Sequence, residues 1–138
     1  MITYKEIKDF KEKDIEELFL SVAWESANFK ERIVEGLRNS SFVLSAWDED
    51  KLVGLIRALD DGTTFACIHY FLVNPAYQGY HIGHELLTRL LDHYKDILYI
   101  KVIAANQKVV PFYEKYGFKK YDYYTGLAIR NIDMLLKK

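Results

Sequence analysis

A chain of 138 residues, half of them hydrophobic, carries enough apolar material for one core, without need of disulfides or a structural metal. Its formal net charge of −1 leaves no basic excess, which argues against a general binder of nucleic-acid backbone. No apolar run approaches the roughly 20 residues of a bilayer span, and the N-terminus is charged from Lys5 onward with no apolar signal region, so a soluble cytoplasmic protein is expected.

In chain order, residues 2–7 read as a short first strand. Asp14 with Glu17 resembles a capping box opening a helix, with Ile15, Leu18, Phe19 and Val22 at helical spacing. Asn28 with Glu31 suggests the start of a second helix, whose apolar face is Ile33, Val34 and Leu37. Residues 41–47 and 52–59 flank a polar turn and read as a β-hairpin. Residues 65–73 are an almost unbroken apolar run, expected of a central strand buried on both faces. The lone Cys67 within it offers no disulfide or metal pattern and reads as a small core residue.

A helix follows, with Ile82, Leu86, Leu87, Leu90, Leu91 and Tyr94 along one side. Residues 97–104 read as another buried strand, completing a βαβ unit with parallel strands. A last helix is expected over 109–116, stopped by Gly117, and two closing strands near 118–121 and 126–132. The pattern is mixed α/β in a single domain, 1–138, with an antiparallel first half.

The chemistry lies between the apolar run and the helix, in Tyr77-Gln78-Gly79-Tyr80-His81-Ile82-Gly83. A strand that runs through a glycine-bearing turn into a helix presents unpaired amides at one place, and the helix dipole adds positive charge there. Such a turn suits a phosphate, and glycine permits the close approach. The turn lacks the Gly-Lys-Ser/Thr ending of a P-loop and the Gly-x-Gly-x-x-Gly of a dinucleotide site.

The stretch from Val73-Asn74-Pro75 to His84-Glu85-Leu86-Leu87 resembles the acetyl-CoA signature of the GNAT acetyltransferase superfamily, Gln/Arg-x-x-Gly-x-Gly/Ala after a strand ending in Val-x-Pro. Gln78 and Gly83 match its first and last positions, and His81 stands where the family has its central glycine. Asn106, followed by Phe112-Tyr113-Glu114-Lys115-Tyr116-Gly117-Phe118, is similar to the family's second signature, and the element order agrees over nearly the whole chain. A slightly remodelled turn that still binds CoA is expected, since histidine is costly where positive φ is required, although its imidazole could donate to phosphate.

The resemblance implies a GNAT-type fold, a central mixed sheet whose fourth and fifth strands are parallel and splay apart, with about four helices. It implies acetyl-CoA as cosubstrate and no metal. Leu72 and Val73 would pair with the pantetheine arm, the amides of Gln78, Gly79, Tyr80, His81, Ile82, Gly83 and His84 would hold the pyrophosphate, and Asn106 would contact the cofactor from the second strand. A backbone amide near Val73 would polarise the thioester carbonyl, and Tyr113 would protonate the leaving thiolate.

For the general base, His69 on the central strand and Glu25 beside Trp24 are candidates, and a water chain is a third. His81 and His84 lack a third ligand for zinc. The expected acceptor is a primary amine of a small molecule, bound near residues 24–29 with tyrosines as aromatic walls. A peptide or protein amine, or a CoA-binding protein of this fold without catalysis, stand as alternatives, and a homodimer is possible.

Overall fold

The computed structural model describes residues 1–137. The chain divides into two compact units, Met1–Val102 and Ile103–Lys138.

The first unit is a five-stranded sheet with helices against both faces. Its elements are β1 (Ile2–Lys5), α1 (Glu12–Ser21), a 3₁₀ turn (Glu25–Phe29), α2 (Lys30–Arg38), β2 (Phe42–Asp48), β3 (Lys51–Asp60), β4 (Phe65–Val73), a 3₁₀ turn (Pro75–Tyr77), α3 (Ile82–His93) and β5 (Tyr99–Val102). Strand order follows chain order; β1 to β4 are antiparallel, and β5 joins β4 in parallel.

Alternation along the strands sorts side chains to the two faces. Leu55 and Leu72, opposite each other on β3 and β4, join Val43, Trp47, Ile15, Leu18, Phe19, Ile33 and Leu37 in one core beneath α1 and α2. On the other face Gly54 receives Ile82 and Leu86 of α3.

Three helix and strand boundaries differ from expectation. Helix α1 opens two residues before Asp14, with Lys11 as N-cap and no side-chain cap, so Glu12 and Asp14 act through the helix dipole in the first turn. Helix α2 opens at Lys30, because Asn28 lies inside the 3₁₀ turn and donates from Nδ2 to the Glu25 carbonyl (2.9 Å). Strand β5 is four residues long and only half-buried, since it is the edge of the sheet rather than an interior strand.

The second unit holds a 3₁₀ turn (Gln107–Val109), α4 (Val110–Glu114) and α5 (Ile132–Leu136). Gly117, at φ 95°, takes the left-handed conformation that closes the turn after α4. The closing strands expected over 118–121 and 126–132 do not form. A strand needs a ladder partner, and none pairs with these residues. Tyr121, Tyr123 and Tyr124 instead pack on one another around a turn in which the Tyr124 amide donates to the Tyr121 carbonyl.

Candidate active site

Strand β4 carries the site because it outruns its parallel neighbour. The β4–β5 ladder covers Phe65↔Tyr99 to Ile68↔Val102, while β4 continues to Val73. The parallel ladder therefore ends at Ile68, and Leu72 and Val73 lie on the stretch of β4 beyond it. On its other side this stretch stays paired to β3, through Leu72↔Leu55 and Val73↔Gly54.

A bulge lies in the middle of this stretch. Arg57 pairs with His69 and Ile56 with Phe71, so Tyr70 is the extra residue, at φ 57°. A tyrosine in the left-handed region is uncommon, and such bulges re-aim side chains. Here the Tyr70 ring meets Phe19 edge-on at 5.0 Å, lies 6.3 Å from Trp24 and stacks on His69 at 4.1 Å. Trp24 is placed by the end of α1, where Ala23 is left-handed (φ 57°) and the Trp24 amide returns to the Phe19 carbonyl. Glu25 is exposed at the start of the following 3₁₀ turn.

Beyond Val73 the chain is tightly fixed. Buried Asn74 donates from its amide to the Val53 carbonyl (2.8 Å), and its Oδ1 accepts from the Ala76 amide (2.9 Å). The Tyr77 hydroxyl donates to Asp48 Oδ2 (2.6 Å), tying the turn to the β2–β3 hairpin. Gln78 is extended, Gly79 has φ 89° and His81 has φ 58°. Helix α3 follows at once, with its first internal bond from the Glu85 amide to the His81 carbonyl (3.0 Å). The amides of Ile82 and Gly83 precede that bond and have no acceptor within the helix. Gly79 and His81 thus turn the backbone directly into the head of α3.

The model of the acetyltransferase (GNAT) family matches residues 6–118. The chain belongs to the GNAT acetyltransferase family. It is 30% identical over 110 residues to an uncharacterized ycf52-like N-acetyltransferase of Prochlorococcus marinus, covering 76% of this chain and 61% of that protein. It is likewise 30% identical over 119 residues to the histone acetyltransferase TAP1 of Glycine max, covering 77% of this chain and 51% of that one. The chain thus spans about half to three-fifths of the length of these curated relatives. Among solved structures it is similar to a GNAT-family acetyltransferase from Streptococcus pneumoniae TIGR4, at TM-score 0.81 and 30% identity over 95% of this chain and 99% of that one. It shares its fold with a predicted acetyltransferase from Clostridium acetobutylicum solved with acetyl-CoA, at TM-score 0.66 and 20% identity over 100% and 99% of the two chains.

Against the GNAT signature, His81 holds the left-handed conformation that the family's glycine would adopt without strain. As N-cap of α3, His81 makes no side-chain capping bond. His81 and His84 are both exposed.

Asn106 and Tyr113 of the second signature belong to the second unit. Asn106 caps the 3₁₀ turn by accepting from the Lys108 amide (2.9 Å), so its Oδ1 is engaged within its own motif. The half-buried Tyr113 ring packs edge-on against Phe112 and Phe118, and burial pushes its phenol above the usual value.

The His69 imidazole is held below the usual range, at about 4, first by burial and then by the Arg57 cation. The Arg57 Nη2 lies 2.6 Å from His69 Nδ1. A guanidinium only donates, so Nδ1 accepts and the proton of the neutral ring sits on Nε2. Arg57 is the residue that a motif search passes over. Its signal in the sequence was a single charge inside the apolar run from Leu52 to Leu59. A cleft in the first unit, beside Tyr4, Phe42, Arg89 and His93, adjoins the C-terminal half of α3, at the other end from the Gly79–His81 turn.

Proposed function

We propose that this GNAT chain transfers an acetyl group from acetyl-CoA to a primary amine of a small molecule, by direct attack in a ternary complex. One observation carries the proposal: β4 outruns β5 and leads straight into a turn with two left-handed residues at the head of α3. That arrangement supplies strand backbone for an extended arm and converging amides for its diphosphate.

Acetyl-CoA supplies the activated acetyl group. The chain's own part is to position it and to manage charge and protons. Leu72 and Val73 offer strand backbone, and an amide near Val73 is placed to stabilise negative charge on the carbonyl oxygen. The amides from Gly79 to His84 hold the diphosphate. The Tyr113 hydroxyl keeps a proton for the departing thiolate, and its raised pKa keeps it protonated at neutral pH. Glu25 and a water chain serve as proton acceptors for the amine. His69 serves only when its Nδ1 leaves Arg57.

Release of free thiol from acetyl-CoA across an amine panel tests this reading. Turnover with small primary amines is expected. Measurable CoA binding with no thiol release for any amine would overturn it in favour of a non-catalytic CoA-binding protein. The printed name of the Glycine max relative favours a second reading, a protein amine as acceptor. Acetylation of peptides but of no small amine would select it.

A further inference from the structure

Arg57 is 8% exposed, yet it has no carboxylate partner among the described residues. Its Nη1 donates to Ser40 Oγ (3.3 Å), its Nη2 to His69 Nδ1 (2.6 Å), and its Cζ lies 4.9 Å from the centroid of the Tyr70 ring. Its Nε is buried with no hydrogen-bond partner. A buried cation met by a hydroxyl, an imidazole and a π face, with Cys67 nearby and no carboxylate among the described residues, is costly, and buried guanidinium groups ordinarily meet an anion.

The geometry of the unmet group is specific. Nε–H and Nη2–H form one edge of the guanidinium, two parallel donors that match the two oxygens of a carboxylate. In this chain the neutral His69 Nδ1 takes a bond from Nη2, and Nε–H has no acceptor. His69 lies against that cation through Nδ1 and stacks on Tyr70, which packs beside Trp24 on the stretch of β4 that leads to Val73.

We propose that Arg57 recognises a carboxylate on the acceptor, so that the acceptor is an amino acid or a similar amine carrying a carboxylate, seated on Nε and Nη2 in place of His69 Nδ1. The inference rests on the acetyltransferase reading above and names its substrate class. It also links binding to proton transfer. The arriving carboxylate neutralises Arg57 and releases Nδ1, whose lone pair then accepts a proton from the neighbouring ammonium group. An amine without a carboxylate leaves His69 tied to Arg57.

The test compares matched acceptors by thiol release: α-amino acids, their primary amides, and the corresponding decarboxylated amines. The carboxylated member is expected to lead in kcat/KM by on the order of 10²-fold. In Arg57→Lys, which keeps the charge and loses the fork, that preference should collapse to within a few-fold. Equal rates for the matched acceptors in the wild type would overturn the inference and leave the proposed function standing, as would a preference for a phosphorylated amine over the carboxylated one.

A second measurement does not need turnover. A panel of 2-hydroxy acids with small, apolar, acidic and aromatic side chains is titrated into the protein–CoA complex, with the His69 ¹⁵N resonances as readout. Displacement of Nδ1 from Arg57 should shift them in the wild type, and Arg57→Lys, checked for folding by its melting transition, should show no saturable shift. If no amine turns over, the proposed function fails, and a saturable shift lost in Arg57→Lys still upholds the carboxylate site. No shift in the wild type overturns it.

Discussion

A β-carbon placed on Gly54 would lie 2.8 Å from Ile82 Cγ2, closer than real β-carbons approach. Ile82 is the first residue of α3 and Gly54 pairs with Val73 at the end of β4. The absent side chain therefore lets the helix head settle directly on the sheet beside the end of β4.

Gly54→Ala is accordingly expected to destabilise the fold by about 1–3 kcal/mol, the usual range for overpacking a filled core. It should also weaken CoA binding, because the easiest relief is to lift the head of α3 off β3. Denaturant unfolding and calorimetric CoA titration measure the two effects. An Ala variant with wild-type stability and affinity would show that Ile82 yields without moving the turn.

His81→Gly isolates the cost of a side chain in the left-handed region. An L-residue there costs roughly 1–2 kcal/mol, while glycine brings its own entropy cost of about 0.5–1 kcal/mol. The variant should gain up to about 1 kcal/mol, read as a rise of a few degrees in Tm. CoA affinity should stay within a few-fold if His81 contributes backbone alone. A loss of stability, or a drop in affinity of tenfold or more, would mean that the imidazole makes a contact worth more than the strain.

The same turn shows what could be read from sequence. Gly79 and the helix after it are legible because each obeys a local rule, glycine freedom and 3.6-residue periodicity. The apolar run before them does form a strand, but it is not buried on both faces as its composition suggests: Ala66, Ile68 and Leu72 are buried while Phe65 and His69 are exposed, because β4 alternates between a packed face and an open one. The helix starts at Asp14 and Asn28 were misplaced because acidic and amide residues resemble caps even when they sit within a first turn or a 3₁₀ turn. The two closing strands were misread for a different reason. Residues 118–132 are rich in tyrosine and β-branched residues, but a strand is made by its partner, and partnering is not a local property. The lone charge of Arg57 stands out in its apolar run, but its pairing with His69 and the bulge at Tyr70 cannot be read locally for the same cause: both depend on the register between β3 and β4.

Tyr113→Phe removes one hydroxyl from a ring held between Phe112 and Phe118, so the packing should survive. Loss of a general acid commonly costs 10²–10⁴-fold, and a fall in kcat of about 10²-fold is expected with CoA affinity unchanged. Single-turnover thiol release with saturating acceptor checks it. Unchanged turnover would remove Tyr113 from the proton's path and leave solvent as the acid.

The depressed basicity of His69 predicts a particular acid sensitivity. Its pKa is about 4 in the folded chain against an ordinary 6.5, because burial and the Arg57 cation both oppose the imidazolium. Between those values the unfolded chain binds a proton that the folded chain refuses, so stability rises with pH across this window and falls as pH drops from 6.5 towards 4. Asp61 acts elsewhere. Its carboxylate accepts from the Thr64 hydroxyl and from the amides of Thr63, Thr64 and Phe65, and is held well below the usual range; the stability it contributes is lost only as pH falls below its ordinary value near 3.8. His69→Gln keeps an acceptor for Arg57 without a titrating ring, so it should flatten the dependence of the urea midpoint on pH between 6.5 and 4 while leaving the steeper fall below it. An unaltered slope in that variant would place the proton uptake on another group and detach His69 from Arg57's field.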